Sequence, residues 1–178
     1  MPTIALSSAT VFRAASLKYY ATTHSTIGAR TRGGRFNRPG TSALYLALDA
    51  DTALAEYWQT DPPAPLVLIP NELTASNLLD IRGGAPSHFG AHWISWTDDW
   101  KLAREEVDNG NTAATCSSWT CSEDAIARKL TGIIYPSTKR AGGANVVLFT
   151  DNIVAGTMSL RVLDPSGEIA AANPPILT

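Results

Sequence analysis

The chain has 178 residues, enough for one domain (residues 1–178) with its own hydrophobic core. Hydrophobic residues make up 44% and charged residues 17%, a soluble globular composition that argues against disorder, and no apolar run approaches the length that spans a bilayer. The net charge of −2 hides an asymmetry: residues 1–48 carry six bases and no acid, while the remainder carries eight bases and all sixteen acids. The N-terminal part is therefore expected to face an anion, or to pair with carboxylates from the rest of the chain, or both. An acidic overall balance makes nucleic acid the weaker candidate for that anion. The first residues, MPTIALSSATVFRAAS, have no base ahead of the apolar part, so a signal peptide is not expected and a cytoplasmic location is.

In chain order, Thr10 to Ala15 reads as a first strand carrying Arg13. Residues 22–42 are rich in Gly, Thr, Ser and Arg and read as a long loop, a kind of segment that often carries function. Ala43 to Leu48 is a strand bearing Tyr45. Asp51 is a plausible N-cap for a helix over Thr52 to Thr60, which the DPPAP run at 61–65 ends. Pro65 to Pro70 and Asn77 to Arg82 read as two strands. Ser87 to Val107 reads as helix broken near Gly90, with Trp93, Trp96 and Trp100 on one face as a core stripe. Thr120 and Glu123 suggest a capping box for a helix through Leu130. Gly132 to Pro136 and Ala144 to Phe149 are strands of the buried type, joined by the polar loop STKRAGG. A last strand covers Ser159 to Leu163, and the tail AAANPPILT is expected to be a terminus without chemistry. Strands outnumber helices without regular alternation, so an α+β fold with a small mixed or antiparallel sheet and flanking helices is expected.

Several familiar chemistries are missing. GGRFNRPG lacks the G-x-G-x-x-G spacing and precedes a strand rather than a helix, and no Walker A sequence is present. Cys116 and Cys121 read as free thiols. His88 and His92 have i, i+4 spacing, but their order and spacing with the cysteines match no standard zinc finger, so no metal is expected.

The most informative stretch runs from Gly33 to Glu56. Arg35 follows two glycines, where the backbone turns tightly and approaches a ligand closely, and a guanidinium grips phosphate with two parallel hydrogen bonds. Arg13 lies in an apolar strand, where its charge demands a partner: Glu56, or a phosphate in a cleft. Glu56, among Ala53, Leu54, Ala55, Tyr57 and Trp58, is either an exposed helix residue or a half-buried carboxylate suited to stabilising a developing sugar cation. Tyr45 is a core aromatic, or a ring that stacks on a flat base with its hydroxyl available. Ser137 lies where a strand enters a loop, a common place for polar site groups.

Together VFRA at 11–14, GGRFNRPGTSALYLA at 33–47, the helix ending at Glu56 and GIIYPSTKRAGGANVVLF at 132–149 resemble the RES domain family, best known as the toxins of RES–Xre toxin–antitoxin pairs. The resemblance implies an ADP-ribosyltransferase-like fold and an enzyme that consumes NAD+ by phosphorolysis or hydrolysis, depleting it and arresting growth; the alternative is transfer of ADP-ribose to a host protein. It implies that Glu56, Arg35 and Tyr45 are catalytic and that Arg13, Arg35, Tyr45 and Ser137 bind NAD+. Lys139 and Arg140 both stand where the family often carries an arginine. NAD+ is then a substrate, with inorganic phosphate a candidate co-substrate, and no cofactor is required. The implied partner is an Xre-type antitoxin that occludes the site, with nucleic acid met only through it and no membrane. From another class, a non-catalytic nucleotide-binding module would bind NAD+ without consuming it, but such a module has little use for the acid beside the glycine loop.

Overall fold

The computed structural model describes residues 3–58, 65–86 and 89–177. Seven strands, β1 (Ile4–Ser16), β2 (Leu44–Ala47), β3 (Leu66–Asp80), β4 (Gly132–Pro136), β5 (Ala144–Leu148), β6 (Met158–Val162) and β7 (Ile176–Leu177), form one sheet in the order β1-β2-β5-β4-β3-β6-β7. β1 also pairs with β3, so the ladders β1–β2, β2–β5, β5–β4, β4–β3 and β3–β1 close on themselves. Among the described residues, only the β3–β4 ladder is parallel. Among the described residues, five α-helices accompany the sheet: α1 (Ile27–Arg32), α2 (Ala50–Tyr57), α3 (Trp100–Asp108), α4 (Ser117–Ala127) and α5 (Glu168–Ala172). The fold is thus α+β, as the unalternated strands suggest.

The period-2 alternation of strand side chains divides the interior in two. Ile133 and Tyr135 of β4 and Val147 of β5 join a core with Phe36, Trp93, Trp96, Cys121 and Phe149. Their neighbours Ile134, Val146 and Leu148 join Leu44, Leu46, Leu73, Leu78, Met158 and Leu160 on the other face. β4 and β5 are covered on both sides, which is why GIIYP and ANVVL read as unbroken apolar runs. Tyr45 packs against the first core, and the ladders set it opposite Val147 and set Asn145 opposite both Ala47 and Tyr135. One face of three adjacent strands therefore carries Tyr45, Tyr135 and Asn145.

Several local expectations are revised. The two strands expected at 65–70 and 77–82 are one 15-residue strand, because its long antiparallel ladder with β1 carries the polar NELTAS stretch. Residues 22–42 contain α1 and a tight turn rather than an unstructured loop. The N-cap of α2 is Asp49, whose carboxylate accepts from the Thr52 N–H at 2.8 Å, not Asp51. The expected end of α2 at Thr60, and most of the DPPAP run, lie outside the described residues, as do Ser87 and His88. No long helix fills the described residues 89–107: a 3₁₀ turn at Ala91–Trp93 and a series of bends precede α3. Trp93 and Trp96 are buried as expected, but they come from this irregular segment and share no helix face with Trp100. α4 starts after Cys116, three residues before the expected Thr120, so the capping box does not form. The tail folds as α5 and β7.

Candidate functional site

The segment GGRFNRPG is a rigid turn built around Asn37. Gly34 and Asn37 bridge each other, and the Asn37 amide donates to the carbonyls of Ala29 (2.8 Å) and Thr41 (3.0 Å). Gly33 has φ +73°, and a Cβ on Gly34 would lie 2.7 Å from the Tyr45 hydroxyl and 2.8 Å from Asn37 Oδ1, so the sequence needs both glycines. Phe36 plugs the first core, its ring centroid 4.7 Å from Tyr135 and 5.6 Å from Trp96. The Trp119 indole N–H donates to the Gly34 carbonyl at 2.8 Å. With Phe36 and Asn37 turned inward, Arg35 projects toward the Trp96 carbonyl and Thr138 Oγ1, each at 3.5 Å, with its guanidinium 5.7 Å from the Trp96 ring centre.

Tyr45 holds this turn. Its hydroxyl donates to Asn37 Oδ1 at 2.7 Å and accepts the Phe36 N–H at 3.0 Å. The hydroxyl expected to be available is thus occupied, and burial keeps the phenol far above its usual pKa and protonated. The same holds for Tyr135, where burial dominates and Tyr45 and Glu56 add to it.

Glu56 sits in the last turn of α2, half-buried. Its Oε1 accepts from Ser137 Oγ at 2.7 Å and from Asn145 Nδ2 at 2.8 Å. Ser137 Oγ in turn accepts the N–H groups of Lys139 (3.0 Å) and Arg140 (3.1 Å), so its single proton is directed to Glu56. Ser137 therefore meets the site through Glu56. Of the two residues where the family often carries an arginine, the Arg140 guanidinium is tied to Asp49 (3.3 Å) and Asp51 (3.4 Å) at the start of α2, while Lys139 lines the cleft.

These elements surround a cleft of about 1170 Å³. Arg13, Arg35, Tyr45 and Glu56 line it, so four of the five expected residues converge on one space. Arg32, Lys101, Arg104 and Lys139 add further cations, against only Glu56 and Asp99 among the described acids of the lining. A cationic cleft of this size suits a large phosphate-bearing ligand. Arg13 donates to the carbonyls of Thr23 and Ser25, the latter at 3.4 Å. Burial lowers its pKa to about 10, which leaves it a cation at neutral pH.

Asn145, 4% exposed, escaped the sequence reading, although an amide inside the apolar run ANVVL signals a need for a partner. Tyr135, and Lys101 and Arg104 of α3, also line the cleft and were missed. Tyr135 reads as an ordinary core aromatic, and α3 belongs to the part of the chain whose path the sequence did not reveal. Among the described residues, no group of three or more His, Cys, Asp or Glu side chains is arranged to hold a metal, and no helix is long and apolar enough to cross a membrane.

An α+β sheet that holds a carboxylate on the wall of a cationic cleft, behind a glycine–arginine turn, defines the class. The RES domain model matches residues 10–167, and the chain belongs to that family. Among solved structures, the chain is similar to one in the crystal structure of the M. tuberculosis MbcT–MbcA toxin–antitoxin complex, with a TM-score of 0.57 and 21% identity over 95% of this chain and 92% of that one. No curated protein matches.

Proposed function

We propose that this protein is the toxin of a toxin–antitoxin pair and an enzyme that splits NAD+ at the nicotinamide–ribose bond, in an ADP-ribosyltransferase-like fold. The observation that carries the proposal is the Glu56 carboxylate, held by Ser137 and Asn145 on the wall of a cleft rich in arginine and lysine. Cleavage of the bond from ribose C1′ to the pyridinium nitrogen leaves the electron pair on neutral nicotinamide and positive charge on the ribose. Glu56 stabilises that charge, as carboxylates do in glycoside cleavage. Arg35 and Arg13 hold the pyrophosphate, and the Tyr45 ring gives a flat wall for the nicotinamide or ribose side. Water attacking C1′ loses a proton and yields ADP-ribose; phosphate yields its phosphorylated form. Nicotinamide leaves as a neutral molecule, so the reaction needs no strong acid. The antitoxin partner, of Xre type, rests on the family and on the likeness to a chain from a toxin–antitoxin complex. The pair would act in the cytoplasm.

The test is NAD+ consumption by the purified protein with and without inorganic phosphate, with products identified by mass. Release of nicotinamide is expected, and the second product names the acceptor. Glu56→Gln keeps an oxygen for both Ser137 and Asn145 and should fold, yet lose turnover; a folded variant with wild-type turnover would sink the role of Glu56. If no NAD+ is lost in either buffer until lysate is added, and a labelled protein band then appears, the enzyme is a protein ADP-ribosyltransferase instead.

A further inference from the structure

The segment that holds Arg13 is itself held from the far end of the chain. Asn173, beyond the family-matched region and only 3% exposed, makes four hydrogen bonds through one amide. Its Oδ1 accepts the Thr23 N–H at 2.6 Å and the Thr23 hydroxyl at 3.0 Å. Its Nδ2 donates to the carbonyls of Tyr20 (2.8 Å) and Ile169 (2.9 Å). That saturates the amide and fixes its orientation. Thr23 is 1% exposed, and its carbonyl receives the Arg13 guanidinium. The next residue, His24, has one ring nitrogen 2.9 Å from Asn71 Oδ1 and the other 3.3 Å from the Pro174 carbonyl, and its single N–H donates to one of them. Ser25 then supplies the second carbonyl to Arg13. Thr23, Ser25 and Arg13 all line the cleft.

We propose that Asn173 is a positioning residue for Arg13: its amide fixes the 20–25 segment, whose carbonyls aim the guanidinium at the anionic part of the substrate. The proposal rests on the NAD+ reading for the identity of that substrate. A carbonyl-held guanidinium keeps its charge uncompensated by any carboxylate in its described hydrogen bonds, so it remains available to a phosphate. Loosening the carbonyls lets it move without removing it. The loss then falls on substrate binding and not on the step at C1′, where Glu56 acts.

The experiment uses the full chain. Asn173→Ala should raise the KM for NAD+ about tenfold with kcat within about twofold of wild type. Thr23→Val, which removes only the hydroxyl's bond to Asn173 Oδ1 at 3.0 Å, should raise it about threefold, and decides the matter if the alanine variant does not fold. In an Arg13→Ala background, Asn173→Ala should add less than about twofold, because the two act through one contact. A KM unchanged in the variants, or effects that multiply independently, would overturn the proposal. Labelling by phenylglyoxal without substrate reads the same restraint. Arg13 should react about fivefold faster in the variants, with Arg161 of β6 unchanged. If the wild type neither binds nor consumes NAD+, the functional reading fails, and this labelling alone decides the inference: equal Arg13 rates reject it.

Discussion

Ser137→Ala tests whether the serine serves the substrate or the carboxylate. The hydroxyl makes one bond to Glu56 at 2.7 Å and accepts two backbone N–H groups. A hydrogen bond to a charged group contributes about 1.5–3 kcal/mol. The two freed N–H groups lie beside exposed Thr138 and Lys139, where water replaces the lost acceptor, so they add little. The expected cost is therefore about 2 kcal/mol, which for a chain of this length lowers Tm by about 4–8 °C. Glu56 keeps Asn145 as a donor but loses one anchor, and in the proposed reaction displacement of its carboxylate by a fraction of an ångström should lower kcat about ten- to a hundredfold. NAD+ turnover followed by nicotinamide release, with calorimetry on the same sample, reads both numbers. Asn145→Ala should lower kcat in the same way, and the double variant should lose less than the product of the two, since both act on one oxygen. A Ser137→Ala enzyme with unchanged kcat and a raised KM would refute this reasoning and return the serine to direct substrate contact.

Gly34→Ala should destabilise by about 1–3 kcal/mol, because the new Cβ meets Tyr45 Oη at 2.7 Å and the turn cannot give without releasing Phe36. Gly40→Ala, with open space around it and only φ +98° against it, should cost about 1 kcal/mol; equal melting of the two variants would show that close approach is not the constraint. The Asp80 carboxyl lies below its ordinary value of 3.8, chiefly through its hydrogen bonds with the Arg82 guanidinium. A carboxyl depressed by folding stabilises above its unfolded pKa and loses that contribution as pH falls through the folded value. Wild type should therefore lose more Tm than Asp80→Asn between about pH 5 and pH 2.5, and parallel melting curves would contradict the assignment.

What the sequence revealed follows the range of the forces involved. β2, β4, β5 and β6 were legible because alternating or unbroken apolar runs between turn residues fix strands locally. β3 was split in two because Asn71 and Glu72 look like loop residues, and the ladders with β1 and β6, each more than fifty residues away in sequence, make them strand. The segment before α3 misled in the opposite direction: tryptophans at helical spacing serve the core from bends as well as from a helix. At the site, Arg35, Tyr45 and Glu56 were readable because one local unit carries them. Asn145 and Asn173 were not, since a buried amide is defined by its partners, and Thr23 lies 150 residues from Asn173.

The charge asymmetry has an answer of two parts. Arg38 pairs with Glu123 at 3.4 Å, an N-terminal base meeting a C-terminal acid across the fold. Arg13, Arg32 and Arg35 instead line the cleft, and Arg13 meets carbonyls there. Cations neutralised by carboxylates would have little left for a phosphate, because each described acid in the cleft would compete with the ligand for the same donors. Placing almost all the acids elsewhere keeps the potential of the cleft positive while the net charge of the whole chain stays slightly negative. Glu56 is the exception that the proposed chemistry requires. Its Oε1 accepts from an uncharged hydroxyl and an uncharged amide. Arg140, the base nearest in sequence to Ser137 after Lys139, is drawn away by Asp49 and Asp51. In the proposed reaction a carboxylate on the wall of this cleft stabilises the cation that appears as the bond to ribose breaks while the arginines hold the phosphates, and that separation of anion-binding from cation-stabilising groups is what a phosphate-anchored sugar substrate needs.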